Sequence, residues 1–294
     1  MTSRQHRIVA VAFAVATLAA LAALAPGCGG RPLPPATEVV AVRADRLPED
    51  PQDPAWQRAP AYRAQLILQD LVEPRLVTPS TPSVVVRALT DGRQVAFLLE
   101  WDDATQDDVP AAARFSDACA VQLPQTTEAD VPDPQMGNAG RAVEITLWRA
   151  SWQAWVDGRA DDIRSIFPNA SIDHYPFEAP SLEPGSDAQR DMAARYAPAR
   201  RLGNSMEGPR ERPVEDLVGE GPGTLSPAAD QRSSGRGART ESGWRVVIVR
   251  PLPAGLGPGG RGEIAFAVWN GAKQEVGSRK MRSPWVPLSV ETGA

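Results

Sequence analysis

Only two lysines occur in the chain, Lys273 and Lys280, against twenty-nine arginines. Both lie in the stretch Trp269-Asn-Gly-Ala-Lys-Gln-Glu-Val-Gly-Ser-Arg-Lys-Met-Arg-Ser-Pro-Trp285. The two cations differ in what they can do. Arginine stays protonated and is no practical metal ligand, whereas a lysine amine shifts its pKa when buried and can present a neutral lone pair. A lysine retained in an arginine-rich chain is therefore a candidate ligand for iron. Solvated charge at a strand end is the more usual fate of lysine, and composition alone favours it.

Other constellations are excluded by what is missing. Beyond residue 27 one histidine is present, His174, which rules out a histidine-based triad, a multi-histidine zinc site and a bis-histidine haem. His174 itself reads as a hydrogen-bonded loop residue. No Cys-x-x-Cys-His run exists, so no haem is attached covalently. Glycines are frequent, yet none forms a phosphate-binding loop between a strand and a helix, and Gly257-Pro-Gly-Gly-Arg261 is a turn. Asp102-Asp103 and Asp107-Asp108 have the oxygen chemistry for calcium, but acidic pairs after a strand are more often solvated loop tips.

The first residues read as an export signal. Arg4, His6 and Arg7 precede a 17-residue apolar run, Ile8 to Leu24, and then Ala25-Pro-Gly-Cys28. The expectation is a signal peptide over 1–27, with Cys28 lipidated as the first residue of the mature protein. Plain cleavage to a soluble periplasmic product is the alternative that Pro26 keeps open. Residues 28–44 then form a lipidated Pro/Ala/Val-rich tether, placing the protein on the periplasmic side of a membrane. Residues 1–27 hold two arginines and no acids, so the mature 267 residues carry 29 basic against 36 acidic side chains. An acidic exported chain is a poor match for nucleic acid. With Cys28 acylated, Cys119 stands alone and no disulfide is expected.

The elements that would position a site are strands. Ser83–Leu89 and Val95–Trp101 are joined through Asp91-Gly92, whose glycine supplies the positive φ of a tight hairpin. Further strands are predicted at Ala118–Leu123, Ala142–Ala150, Trp244–Arg250 and Gly262–Trp269. In the last, Ile264, Phe266 and Val268 alternate with Ala265, Ala267 and Trp269, so both faces are apolar, as on an inner strand of a sandwich. Helical signal is thin, confined to a loose pattern over Ser151–Ile166 that Gly158 interrupts. Residues 178–241, rich in Pro, Gly, Ser and Arg, read as a long polar loop within one domain spanning 45–290. The fold class is all-β, mainly an antiparallel β-sandwich with long loop insertions and few short helices.

A set of segments, in this order and spacing, resembles a known family. They are Leu47-Pro-Glu-Asp-Pro-Gln-Asp-Pro-Ala-Trp56, Gln69-Asp-Leu-Val-Glu-Pro74, Leu98-Leu-Glu-Trp-Asp-Asp103 and Arg114-Phe-Ser-Asp-Ala-Cys-Ala-Val-Gln-Leu-Pro124. They continue through Gln135-Met-Gly137, Val143-Glu-Ile-Thr-Leu-Trp-Arg149, Tyr196-Ala-Pro-Ala-Arg-Arg-Leu-Gly-Asn204, Val268-Trp-Asn-Gly-Ala272 and Arg279-Lys-Met-Arg-Ser-Pro-Trp285. The chain is similar over most of 45–290 to the ethylbenzene-dehydrogenase type haem b-binding domain, the γ subunit of type II molybdenum enzymes of the dimethyl-sulfoxide-reductase family.

The resemblance implies one non-covalent haem b between a methionine and a lysine. By motif position these are Met136 and Lys280; alone, Met136 would read as a loop or core residue. Lys273, directly after Asn270-Gly271, is the competing lysine and reads as a solvated tip. A soft thioether favours ferrous iron, and burial favours the neutral amine. Phe115, Trp148 and Trp285 are candidate pocket walls, equally placed to be core. Arg200-Arg201 or Arg279 are candidate partners of the haem propionates. The implied role is non-catalytic: electron relay between the iron–sulfur subunit of a molybdopterin oxidoreductase, beside its molybdopterin catalytic subunit, and a cytochrome or quinone-linked carrier. A haem-free carbohydrate- or ligand-binding lipoprotein is the alternative.

Overall fold

The structure is a computed structural model that describes residues 36–109, 111–127, 130–159, 166–169, 183, 185–196, 202 and 210–292. Cys28, His174 and Arg200-Arg201 lie outside the described residues.

Strands account for most of the regular structure among the described residues. In the first half of the chain they are β1 (Val39–Arg43), β2 (Tyr62–Gln65), β3 (Ile67–Leu68), β4 (Ser83–Thr90), β5 (Gln94–Asp102), β6 (Ala118–Pro124) and β7 (Val143–Arg149). After two short helices, α1 (Ala150–Val156) and α2 (Asp187–Tyr196), come β8 (Val214–Gly219), β9 (Ser226–Pro227), β10 (Ser234–Arg239) and β11 (Gly243–Pro251). The chain closes with β12 (Arg261–Trp269), β13 (Met281–Arg282) and β14 (Val286–Val290).

The strands follow one path, β10-β11-β5-β4-β1-β14-β12-β6-β7-β8-β9, which folds on itself at β12. The first half of β12, residues 261–264, pairs with β14, and the second half, 265–269, pairs with β6. One strand thus serves two sheets, as happens at sandwich corners. Pairing is antiparallel except at β1, which runs parallel to both β14 and β4. The Asp91-Gly92 hairpin forms as predicted, with Gly92 at φ 88° and β4 paired to β5.

Alternation of side chains decides what each sheet buries. Val84, Val86, Phe97, Leu99 and Ile248 of the first sheet meet Cys119, Val121, Trp148, Phe266 and Val268 of the second in the main core. Trp148 is fully buried and packs edge-on against Trp101 and Trp244, with ring centroids 6.4 Å and 5.1 Å away. Cys119 is a buried free thiol of this core. On the outer side of the first sheet, Leu89, Ala96, Leu98, Val247 and Val249 are sealed by Ala44, Trp56 and Ala59 from the incoming chain.

The expected polar loop over 178–241 is corrected by α2, β8, β9 and β10, all of which fall within it. The sequence Ser-Gly-Arg-Gly-Ala-Arg of β10 lacks a strand's apolar alternation for a steric reason. A Cβ on Gly237 would lie 2.1 Å from the Trp148 ring, so the indole occupies the space that a side chain would need. Of the loose helical pattern over 151–166, the described residues include the seven-residue α1; residues 160–165 lie outside them.

Candidate functional site

The outer face of the second sheet is paved with small side chains. Register across β12, β6, β7 and β8 places Ala267, Ala120, Leu147 and Glu215 in one row and Ala265, Gln122, Ile145 and Leu217 in the next. A third row holds Trp269, Ala118 and Arg149. Four alanines from two adjacent strands keep this face low enough to leave a void: Ala118 lines it, and Ala120, Ala265 and Ala267 line a smaller recess beneath. The two apolar faces of β12 have different causes: Ile264, Phe266 and Val268 enter the core, whereas Ala265 and Ala267 face the recess and Trp269 lines both recess and void.

The void is a cavity of about 850 Å³, lined among others by Phe115, Ala118, Ile145, Leu147, Leu217, Leu225 and Trp269. That is within the range of about 300–1,000 Å³ usual for cofactor-sized ligands, and an apolar lining with few polar groups is typical of such sites. Met136 and Lys280 both line it. They also meet at the smaller recess beneath, beside Ala120, Ala265, Ala267 and Trp269.

The methionine is held by its loop. Met136 has φ 68° and Gly137 φ 80°, a left-handed pair that an unconstrained methionine avoids. The loop is pinned from three sides. Trp285 Nε1 donates to the Pro132 carbonyl at 2.7 Å, Gln122 Nε2 donates to the Pro134 carbonyl at 3.1 Å, and Gly221 N donates to the Met136 carbonyl at 2.8 Å. Lys280 sits just before β13, which pairs with β12 and with β3, and its carbonyl accepts from Gln69 N at 3.1 Å. The amine is half-buried, 5.0 Å from the centre of the Trp269 ring. Desolvation, aided by the nearby Arg282 charge, pushes its pKa down to about 8, which makes the neutral amine accessible near physiological pH.

Not every residue named from sequence reaches the cavity. Phe115 lines it. Trp148 is core, on the opposite face of its sheet, with Nε1 donating to Gln153 Oε1 at 3.2 Å. Trp285 packs against the outer apolar cluster and braces the Met136 loop. Arg279 stacks over the Phe115 ring at 5.9 Å and is not among the lining residues. Lys273 is exposed in a short 3-10 turn, its backbone N–H donating to Asn270 Oδ1 at 3.0 Å. Trp269 was missed as a site residue; its place on the side of β12 opposite Ile264, Phe266 and Val268 was the available signal.

The cavity end of β6 is closed by buried acids rather than a solvated tip. Asp103 accepts from Asn270 Nδ2 at 3.1 Å. Asp117 accepts from Gly271 N and Asp107 N at 2.8 Å and from Trp244 Nε1 at 3.0 Å. Burial outweighs these donors and lifts the Asp117 pKa to about 7; Asp103 and Glu275 move in the same direction for the same reason. Among the described residues no group of three or more histidine, cysteine or acidic side chains is arranged to hold a metal ion.

An all-β sandwich with an apolar, cofactor-sized cavity on one outer sheet face defines a ligand-carrying β-domain. Residues 53–281 match the ethylbenzene dehydrogenase family, and the chain belongs to it. A curated relative from Haloferax mediterranei, described as "Putative respiratory nitrate reductase heme subunit ORF7", is 24% identical over 260 residues, covering 85% of this chain and 72% of that protein. Among solved structures, a family 9 carbohydrate binding module from Caldicellulosiruptor kristjanssonii in complex with cellotriose covers 87% of this chain and 94% of its own, with TM-score 0.43 and 8% identity. The same module in complex with glucose gives TM-score 0.37. Likeness at that level carries no functional argument.

Proposed function

We propose that this chain is a haem b electron-transfer subunit, with one non-covalent haem held between Met136 and Lys280. The observation that carries the reading is that both motif residues, one on a strained loop and one beside a two-residue strand, line the same apolar cavity. Family membership and the relative described as a heme subunit support it.

The side chains fit such a group. Met136 offers a soft thioether that does not titrate, and desolvation shifts the Lys280 amine toward its neutral form. The alanine floor leaves room for a flat apolar ring system, and Trp269, Phe115, Leu147 and Leu217 shield it from water. Met136 and Lys280 would hold the iron of such a group, which would supply one-electron transfer when bound. The chain then acts as a non-catalytic subunit of an oxidoreductase. It passes electrons between the iron–sulfur subunit of a molybdopterin enzyme and a periplasmic or membrane carrier. Export by residues 1–27 and anchoring through lipidated Cys28 belong to the same proposal; among the described residues no helix is long and apolar enough to cross a membrane.

Full-length protein reconstituted with haem should give a six-coordinate, low-spin absorption spectrum. Lys280→Ala should convert it to high-spin or lose the haem, and Lys273→Ala should leave it unchanged. The reverse pattern would show that the wrong lysine had been assigned, and failure of the wild type to take up haem would remove the reading altogether.

A further inference from the structure

The cavity wall carries arginine charge that no carboxylate among the described residues pairs with in full. Arg149 ends β7 on the same face as Ile145 and Leu147, and it lines the cavity. Its guanidinium is half-buried, 5.1 Å from the centre of the Trp152 ring, which Arg210 covers at 3.8 Å. Two arginines thus share one indole. The carboxylate that acts on both is Glu215, and it is ion-paired with Arg210 at 3.3 Å.

The remaining acids on the cavity are also accounted for. Glu73 pairs with Arg75 at 2.7 Å on the rim, and Glu275 accepts from Asn270 N at 2.9 Å while burial shifts it toward its neutral form. Neither Arg149 nor Arg114, the other arginine lining the cavity, has a carboxylate within ion-pairing distance among the described residues. Desolvation of a guanidinium without a counter-ion is costly, and Arg149 shows it in a lowered pKa. The side chain nevertheless faces an apolar void instead of open water. A bound anion would complete the charge balance.

We propose that Arg149 is the counter-ion for a carboxylate of the cavity's ligand, with Arg114 adding positive charge on the same wall. Resting on the haem reading, that carboxylate is a haem propionate. Arg149 and Trp269 lie on either side of Ala118 in one row, two strand spacings or about 10 Å apart. Since Trp269 contacts the Lys280 amine, this places the guanidinium on the lysine side of the cavity. A planar guanidinium suits this role because it can bind a carboxylate with two parallel hydrogen bonds and does not lose its charge on burial.

The test compares haem with its dimethyl ester, in which both carboxylates are capped, as titrants of the full-length haem-free protein. Wild type should prefer haem by about tenfold to a hundredfold, the range of one or two charge-assisted hydrogen bonds. Arg149→Gln should lower haem affinity by a similar factor and leave ester affinity unchanged, so the preference collapses. Arg149→Lys should keep part of the preference, and Lys273→Ala, on the exposed surface away from the cavity, should leave it unchanged. Absence of a preference in wild type, or a wild-type preference in Arg149→Gln, overturns the assignment while the haem reading stands. If neither porphyrin binds wild type, both fall.

Discussion

The two sheets of this sandwich share one core but treat their outer faces in opposite ways. Over the first sheet, the chain returns as residues 44–59 and closes the apolar face with Trp56, which is 2% exposed and donates from Nε1 to the Asp50 carbonyl at 3.0 Å. Over the second sheet, Ala118, Ile145, Leu147 and Leu217 line a cavity of about 850 Å³ that the chain leaves open, with Ala120, Ala265 and Ala267 around a smaller recess beneath it. A face that the chain covers is structural. One that is apolar, floored by alanine and left uncovered is shaped for a ligand that supplies the missing packing.

That contrast can be broken most severely at Trp56. Trp56→Ala should destabilise the fold by about 3–5 kcal/mol through loss of buried area and the cavity left behind, measured by chemical denaturation, while the affinity of the folded protein for haem stays unchanged. Equal loss of haem affinity would mean that the two outer faces are coupled. A smaller cost, about 1–3 kcal/mol, is expected for Gly237→Ala, which forces a methyl group into the Trp148 ring at the centre of the sandwich. Its signature is a lower denaturation midpoint with an unchanged spectrum of any bound haem.

The ligand face predicts the reverse pattern. Ala118→Leu adds bulk at the alanine that lines the large cavity, so stability should change by less than about 1 kcal/mol while haem uptake is abolished or strongly weakened. Haem binding at wild-type affinity would show that the floor does not contact the ligand.

The gentlest effect is a slope with pH. Between its ordinary range near 4 and about 7, Asp117 holds a proton in the folded protein that the unfolded chain has released. Its contribution to stability is therefore full at acid pH and declines as the pH rises through 7, and Asp103 and Glu275 add to it in the same direction. Denaturation midpoints of the haem-free protein across this range should show the decline. Asp117→Asn should flatten it, at some overall cost, because an amide has one acceptor oxygen to meet the donors of Gly271, Asp107 and Trp244.

Much of this organisation was readable in the residues. The hairpin at Asp91-Gly92 and the long strands β4, β5, β6, β7, β11 and β12 follow from alternation and turn chemistry. β8 and β10 escaped because ion pairing and hydrogen bonding at Glu215 and Asp216, and the close approach of Gly237 to Trp148, replaced apolar alternation. Trp148 and Trp269 show the limit within a single pattern. Trp269 lies on a strand with two apolar faces and Trp148 shares its face of β7 with Glu144 and Thr146, and local sequence does not say which of the two tryptophans faces the core.

The sequence alone determined the strand periodicities, the apolar leader and the motif positions of Met136 and Lys280, because each depends on neighbours in the chain. Tertiary structure alone decided that these two side chains share a cavity, that Lys273 lies on the exposed surface, and that Arg149 faces the void beside a glutamate already paired. Those outcomes depend on β12 switching between sheets and on pairings such as β13 with β3, contacts between segments far apart in sequence. Alternation assigns a residue to one of two faces; only the pairing partners determine what that face meets.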